Sequence, residues 1–273
     1  MKITQLRNAT LIVEFGDVRL LVDPMLAAQG QIPPLKWLTG NRRRNPLVEL
    51  PDNASELLEQ VTHCLITHCQ KGHFDHLDRA GVRWLRERNI PVLCMAEDAD
   101  YLRKLRLNVQ ELAAQPLGPF FDGTIRAIPC LHGEGFIGRL MAHGHGYFIQ
   151  IPGEPSLYLA GDTLLTDQVR HCLSGLAPEV SVLPAGGARF DVGGPIIMGQ
   201  ADILTALRLN QGIVVANHLE ALDHCPVTRG ELLREAAQQG LGDRLRVPLD
   251  GQTLVFHTAD EDVAEKRQSL ASL

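Results

Sequence analysis

Residues 65–78 read LITHCQKGHFDHLD: an apolar run, then a segment with three histidines and two aspartates that ends like the start of a helix. Taken alone, the stretch is either a metal site or a polar loop rich in histidine. A strand ending at Thr67 delivers His68, His73, Asp75 and His76 into one loop at a sheet edge. Imidazole with carboxylate is the donor set that suits zinc and its divalent neighbours. An aspartate between two histidines lets one loop serve two ions. A single loop rarely completes such a site, so the reading turns on whether histidine and aspartate recur at strand ends downstream.

They do recur. His132 lies in PCLHGEG (129–135), directly after a strand pattern and before glycines that let backbone approach an ion. Asp162 lies in SLYLAGDT (156–163) and His218 in GIVVANHLE (212–220), each where an apolar run stops. Loops leaving strand ends are the usual place for chemistry grafted on a sheet scaffold.

The pattern around these segments predicts the scaffold. KITQL, TLIVEF and VRLLV read as a meander closed by tight turns, and residues 24–50 lose periodicity and collect Gly30, Pro33, Pro34, Gly40 and Pro46, which marks a long loop. From about residue 54, helix patterns (ASELLEQ, LDRAGVRWLRER, EDADYLRKLRL) alternate with strand patterns (HCLIT, IPVLCM). TIRAIPC, GYFIQI and SLYLAG then read as strands, followed by a second alternating series ending in QTLVFH. Many strands with helices in both halves predict two packed sheets covered by helices. No low-complexity hinge divides the 273 residues, so 1–273 reads as a single domain.

Composition narrows the function. A hydrophobic fraction of 45% and a charged fraction of 21% are those of an ordinary soluble globular chain, and a net charge of −6 argues against a broad nucleic-acid surface. Glu14, Asp17, Arg19 and Asp23 interrupt the N-terminal apolar residues, which fits neither a secretory segment nor a membrane span, so a cytoplasmic location is expected. The six cysteines show no C-x-x-C spacing and read as free thiols.

The series HCQKGHFDH, PCLHGEG, YLAGDT and ANH resembles the metal motifs of the metallo-β-lactamase superfamily, which run H-x-H-x-D-H, then His, then Asp, then His. LLVDP (20–24) is similar to that family's early strand-ending aspartate, and the resemblance covers nearly the whole chain. It implies an α/β fold, a four-layer αββα sandwich of two mixed β-sheets flanked by helices. It also implies two divalent metal ions, zinc first, with manganese or iron as alternatives. In that scheme His68, His73 and His132 hold one ion, Asp75, His76 and His218 the other, and Asp162 bridges. Within the superfamily, the D-P corner and GGARFDVGGPIIMGQADIL (186–204) look most like the L-ascorbate 6-phosphate lactonase-like branch. The spacing departs from the family at one place: Cys69, Gln70, Lys71 and Gly72 separate His68 from His73, where the family has one residue. Three arrangements stay open there: a bulged loop that still joins both imidazoles, a His68 turned away, or Cys69 as a thiolate ligand.

The chemistry implied is hydrolysis by a metal-bridged hydroxide held by the catalytic carboxylates Asp75 and Asp162. The substrate class is a small carbonyl compound such as a sugar phosphate lactone. A phosphodiesterase or nuclease of the same fold, and a non-catalytic metal-binding protein, are the alternatives. Asp23 reads equally as a turn former and as a group orienting a ligand histidine. His224 in EALDHC reads as a partly exposed loop histidine, with proton donor or substrate contact as the alternative. Arg189, and the arginines of NRRRN (41–45), are candidates for gripping an anionic substrate. A small-molecule partner is expected, with no nucleic acid and no membrane; homo-oligomerisation is left open.

Overall fold

The structure is a computed structural model that describes residues 1–38, 42–69, 73–114, 116–141 and 144–258. In chain order the first strands are β1 (Lys2–Arg7), β2 (Thr10–Phe15), β3 (Val18–Val22), β4 (His63–Leu65), β5 (Pro91–Cys94), β6 (Asn108–Glu111) and β7 (Gly118–Phe120). They are followed by β8 (Gly123–Pro129), β9 (His145–Gln150), β10 (Leu157–Leu159), β11 (Val180–Pro184), β12 (Ile213–Asn217), β13 (Leu245–Arg246) and β14 (Thr253–Val255). The helices are α1 (Ala54–Glu59), α2 (Arg79–Glu87), α3 (Ala96–Lys104), α4 (Gly135–Leu140), α5 (Asp167–His171), α6 (Gln200–Leu209) and α7 (Arg229–Gln238). None of the described helices is long and apolar enough to cross a membrane.

Two seven-stranded mixed sheets form, in the orders β14-β1-β2-β3-β4-β5-β6 and β13-β12-β11-β10-β9-β8-β7. Each is antiparallel through the strands that come first in the chain and parallel beyond them: β1 to β3 pair antiparallel and β3 to β6 parallel, while β7 to β10 pair antiparallel and β10 to β13 parallel. Alternation along each strand explains the layers. On β2, Leu11, Val13 and Phe15 enter the core between the sheets, while Ile12 turns to the helices; on β12, Val215 points inward and Val214 and Ala216 outward. Because both faces are covered, the strands read as nearly continuous apolar runs. Helices α1, α2 and α3 cover the first sheet through Leu58, Leu85 and Leu102; α5, α6 and α7 cover the second through Val169, Leu207 and Leu232. The expected αββα sandwich of two mixed sheets is therefore the fold.

Strands β6, β7 and β13 and helix α4 were not among the elements the sequence pattern predicts. The long segment after β3 forms no helix or strand among its described residues beyond one bridge, Ile32 to Asn45. It is fixed from inside. The buried Arg7 guanidinium donates to the carbonyls of Met25 (2.7 Å), Ala27 (2.8 Å) and Val48 (3.0 Å). Helix α2 is capped by Asp78, whose carboxylate accepts from Gly81 N at 2.7 Å and Ala27 N at 2.6 Å. Gly81 lets α2 close on the corner after β3, since a Cβ there would stand 2.2 Å from the Pro24 carbonyl oxygen. That contact fixes the loop that precedes α2.

Candidate metal centre

The strand directions put the C-terminal ends of β3, β4, β8, β10 and β12 along one edge of the sandwich. Asp23, His68, His132, Asp162 and His218 follow those ends, and His73, Asp75 and His76 lie in the loop between β4 and α2. The two sheets are tied together there: Thr67 O accepts from His145 N at 3.2 Å, Ile66 O from the Tyr147 hydroxyl at 3.1 Å, and Asn8 O from His218 N at 3.0 Å.

Asp162 is central. Its Oδ2 lies 3.0 Å from His76 Nε2, 3.4 Å from His218 Nε2 and 3.7 Å from His132 Nε2. Asp75 Oδ2 lies 3.7 Å from His218 Nε2 and 3.9 Å from His76 Nε2. Two groups of candidate ligand atoms result, each with all members within 4.8 Å of one another: Asp75, His76, Asp162 and His218, and His68, His132 and Asp162. His73 belongs to neither group, but its ring stands 5.1 Å from that of His68 and 5.6 Å from that of His132. Among the described residues, three buried atoms here have no hydrogen-bond partner: His68 Nε2, His73 Nδ1 and Asp162 Oδ1. Each such orphan costs about 1–3 kcal/mol in a folded protein. Imidazole nitrogens and carboxylate oxygens converging in this way are a donor set that divalent ions satisfy, so the residues fit the implied metals.

The outward ring nitrogens are held by further groups. Asp23 Oδ2 accepts from His76 Nδ1 at 2.9 Å, the Ile196 carbonyl faces His132 Nδ1 at 2.8 Å, and Thr67 Oγ1 lies 3.1 Å from His68 Nδ1. Asp23 also accepts from Thr67 N (2.9 Å) and Thr67 Oγ1 (2.6 Å), so one carboxylate organises both β4 and the following loop. The electrostatics divide the histidines. Burial lowers His68, His73 and His132 below the ordinary imidazole value. Burial also disfavours the charged forms of His76 and His218, but carboxylates led by Asp162 raise both well above it. Against their own burial, Asp75 and Asp162 are held low by those imidazoles, with His76 the chief neighbour of Asp75 and His218 that of Asp162. Without a cation, protons on His76 and His218 neutralise the carboxylates.

Gln70, Lys71 and Gly72 of the longer spacer lie outside the described residues. Cys69 packs into the apolar layer beneath the first sheet with Cys64 and Cys94, and burial pushes its thiol up, so it is not aimed at the cluster. Arg189 has an exposed side chain and uses its backbone N–H on His224 O at 3.0 Å. His224 is not the partly exposed histidine that its loop position predicts: it is 2% exposed, and its ring stacks on Phe190 at 5.7 Å. That burial comes from the 186–204 segment folding back over it. Cys225 gave no sequence signal beyond its position seven residues after His218, yet its sulfur lies 3.5 Å from His218 Nδ1. The His218 and His224 rings outweigh burial and bring its thiol down to about 7.

No family profile matches the chain. It is 30% identical over 265 residues to the UPF0173 protein YddR of Bacillus subtilis, covering 94% of this chain and all of that one. The chain belongs to the UPF0173 family. Another relative, a UPF0173 metal-dependent hydrolase of Alkaliphilus metalliredigens, is 30% identical over 191 residues, 68% of this chain and 74% of its own. Among solved structures, an isothiocyanate hydrolase from Delia radicum gut bacteria superposes with a TM-score of 0.85 at 32% identity, over 94% of this chain and all of the other. The metallo-β-lactamase fold protein YhfI of Bacillus subtilis superposes with a TM-score of 0.64 at 13% identity, over 93% and 99%, a likeness of fold. This UPF0173 chain is thus a metal-dependent hydrolase with the metallo-β-lactamase sandwich.

Proposed function

We propose that the chain hydrolyses a small electrophilic compound with the help of two divalent ions, zinc first, and that isothiocyanates are its substrate class. The observation that carries the two-ion reading is the position of Asp162 in both ligand groups at once. His68, His73 and His132 with Asp162 would hold one ion, and Asp75, His76 and His218 with Asp162 the other. Ions held there would supply Lewis acidity and a water acidic enough to act as nucleophile at neutral pH.

The chain's own residues do the rest. Asp23, Thr67 and the Ile196 carbonyl fix the imidazoles so that their facing nitrogens stay free. Asp75 and Asp162 orient the attacking water by accepting its hydrogens. His224, buried beside His218 with its Nδ1 3.9 Å from Cys225 Sγ, would serve as the proton donor. On an isothiocyanate, water adds to the central carbon of N=C=S and the nitrogen takes a proton. Cleavage of the C–N bond of the resulting thiocarbamate then releases an amine and carbonyl sulfide. The isothiocyanate hydrolase among the structural neighbours supports this class, since it matches over its whole length. A lactone is the second reading, favoured by the likeness of segment 186–204 to a lactonase branch; there His224 would protonate the ring alkoxide.

Metal analysis followed by parallel assays of an aryl isothiocyanate, a γ-lactone and a nitrophenyl phosphodiester tests the proposal. Two metal equivalents with isothiocyanate turnover that chelation abolishes is the expected result. Turnover of the phosphodiester alone would overturn the substrate class, and metal bound without any turnover would leave a binding protein.

A further inference from the structure

Three imidazoles of the cluster are backed by oxygen: His76 by Asp23, His132 by the Ile196 carbonyl and His68 by Thr67. His218 differs. Among the described residues the partner of its Nδ1 is a sulfur, Cys225 Sγ at 3.5 Å, and the same sulfur stands 3.9 Å from Nδ1 of His224. We infer that Cys225 is a positioning residue: its sulfur accepts from the Nδ1–H of His218 and thereby keeps the Nε2 lone pair facing Asp75 and Asp162. The inference rests on the reading that His218 is a metal ligand.

The surroundings are built for this contact. His218 has left-handed backbone at φ 57°, which turns its ring back toward the cluster rather than along the line of β12. A Cβ on Gly186 would stand 2.2 Å from the His218 carbonyl oxygen and 3.1 Å from Cys225 Sγ, so the segment after β11 admits the pair only with glycine at this position. The turn carrying Cys225 is closed by Cys225 N to Leu222 O at 3.2 Å, and Val227 N to Gly186 O at 3.2 Å ties the same turn to the segment that follows β11. Cys225 also packs against two small apolar clusters, one with Met25 and Leu222 and one with Ala188 and Ile197, which leave the side chain little freedom. The sulfur accepts as thiol or as thiolate, so the role does not depend on its ionisation. Groups that fix the second nitrogen of a ligand histidine commonly contribute about 10–100-fold in metal affinity.

The test compares Cys225→Ala, Cys225→Val and Cys225→Ser in the full-length protein. Two readouts are taken: apparent metal affinity by competition with a chelator, and the visible spectrum after loading with cobalt(II). Valine refills the volume without an acceptor, and it keeps the comparison open if the alanine variant folds poorly. The expected result is a loss of about 10-fold or more in affinity for both Ala and Val, with an altered cobalt spectrum, and a smaller loss for Ser. Wild-type affinity and spectrum in Cys225→Val would overturn the inference and reduce Cys225 to packing. A wild-type protein that takes up no cation would instead overturn the reading of His218 beneath it.

Discussion

Asp23 has left-handed backbone at φ 46°, a conformation that costs a residue other than glycine roughly 1–3 kcal/mol and persists only where its surroundings enforce it. Its three hydrogen bonds to Thr67 and His76 are that enforcement. Asp23→Asn therefore does more than remove a charge. With Oδ1 kept on Thr67 N, the amide nitrogen replaces Oδ2 and donates to His76 Nδ1. An imidazole proton is then fixed on Nε2, where a cation would need the lone pair. We expect metal affinity to fall about 10–100-fold while the metal-free protein stays folded; affinity within twofold of wild type by chelator competition would refute the tautomer argument. Asp162 and His132 separate by the same logic. His132→Ala should remove about one metal equivalent, whereas Asp162→Ala should reduce both and abolish turnover, and elemental analysis distinguishes the two. These residues were legible in the sequence because each follows an apolar run that ends abruptly. Cys225 was not, because a lone thiol looks like core filler until the fold brings it to His218.

Helix α2 and the long segment after β3 carry the next scale. Asp78 caps α2 and also accepts from Ala27 N, with its side chain buried, so one substitution removes a cap and orphans a buried donor. Asp78→Ala should cost about 2–4 kcal/mol in denaturant unfolding, and a loss below about 1 kcal/mol would show that water replaces the carboxylate. Farther along, Asp223 accepts from Leu35 N at 3.1 Å, Lys36 N at 3.2 Å and Asn45 Nδ2 at 3.0 Å. Asp223→Ala should release this strap, seen as faster amide exchange at Leu35 and Lys36 with little change in β1 to β3. Unchanged exchange there would assign the strap's order instead to Arg7 and to Asp191, whose carboxylate accepts from Trp37 N at 2.6 Å and Leu38 N at 3.0 Å. The Asp223 anchor was not legible beforehand, since Asp223 and Leu35 are 188 residues apart and nothing local marks the pairing. Strand β6 escaped for a different reason: NVQE at a sheet edge has no apolar alternation, and its pairing with β5 alone makes it a strand.

At the scale of the whole molecule, the two sheets were legible because strands buried on both faces are nearly all apolar, whereas the site lies where both sheets end together. A cation there joins loops from both sheets, so it acts as a clasp on the native state. Saturation at about 1,000 times Kd stabilises by about 4 kcal/mol, which for a chain of this size raises Tm by roughly 8–16 °C. The pH dependence has a definite sign. In the metal-free protein His76 and His218 are raised above the ordinary imidazole value of about 6.5. Their contribution to metal-free stability is therefore complete below that value and is lost as pH rises through the raised one. Asp75 and Asp162 are lowered, so their contribution fails only in strong acid, outside this window. Metal uptake runs the other way, because the ion must displace the imidazole protons, and affinity grows as pH rises. The Tm difference between metal-loaded and chelated protein should accordingly widen from about pH 6 to about pH 8. Calorimetry with and without chelator across that range measures it. A difference that narrows with rising pH would mean that the metal-free cluster is not held together by protons on His76 and His218.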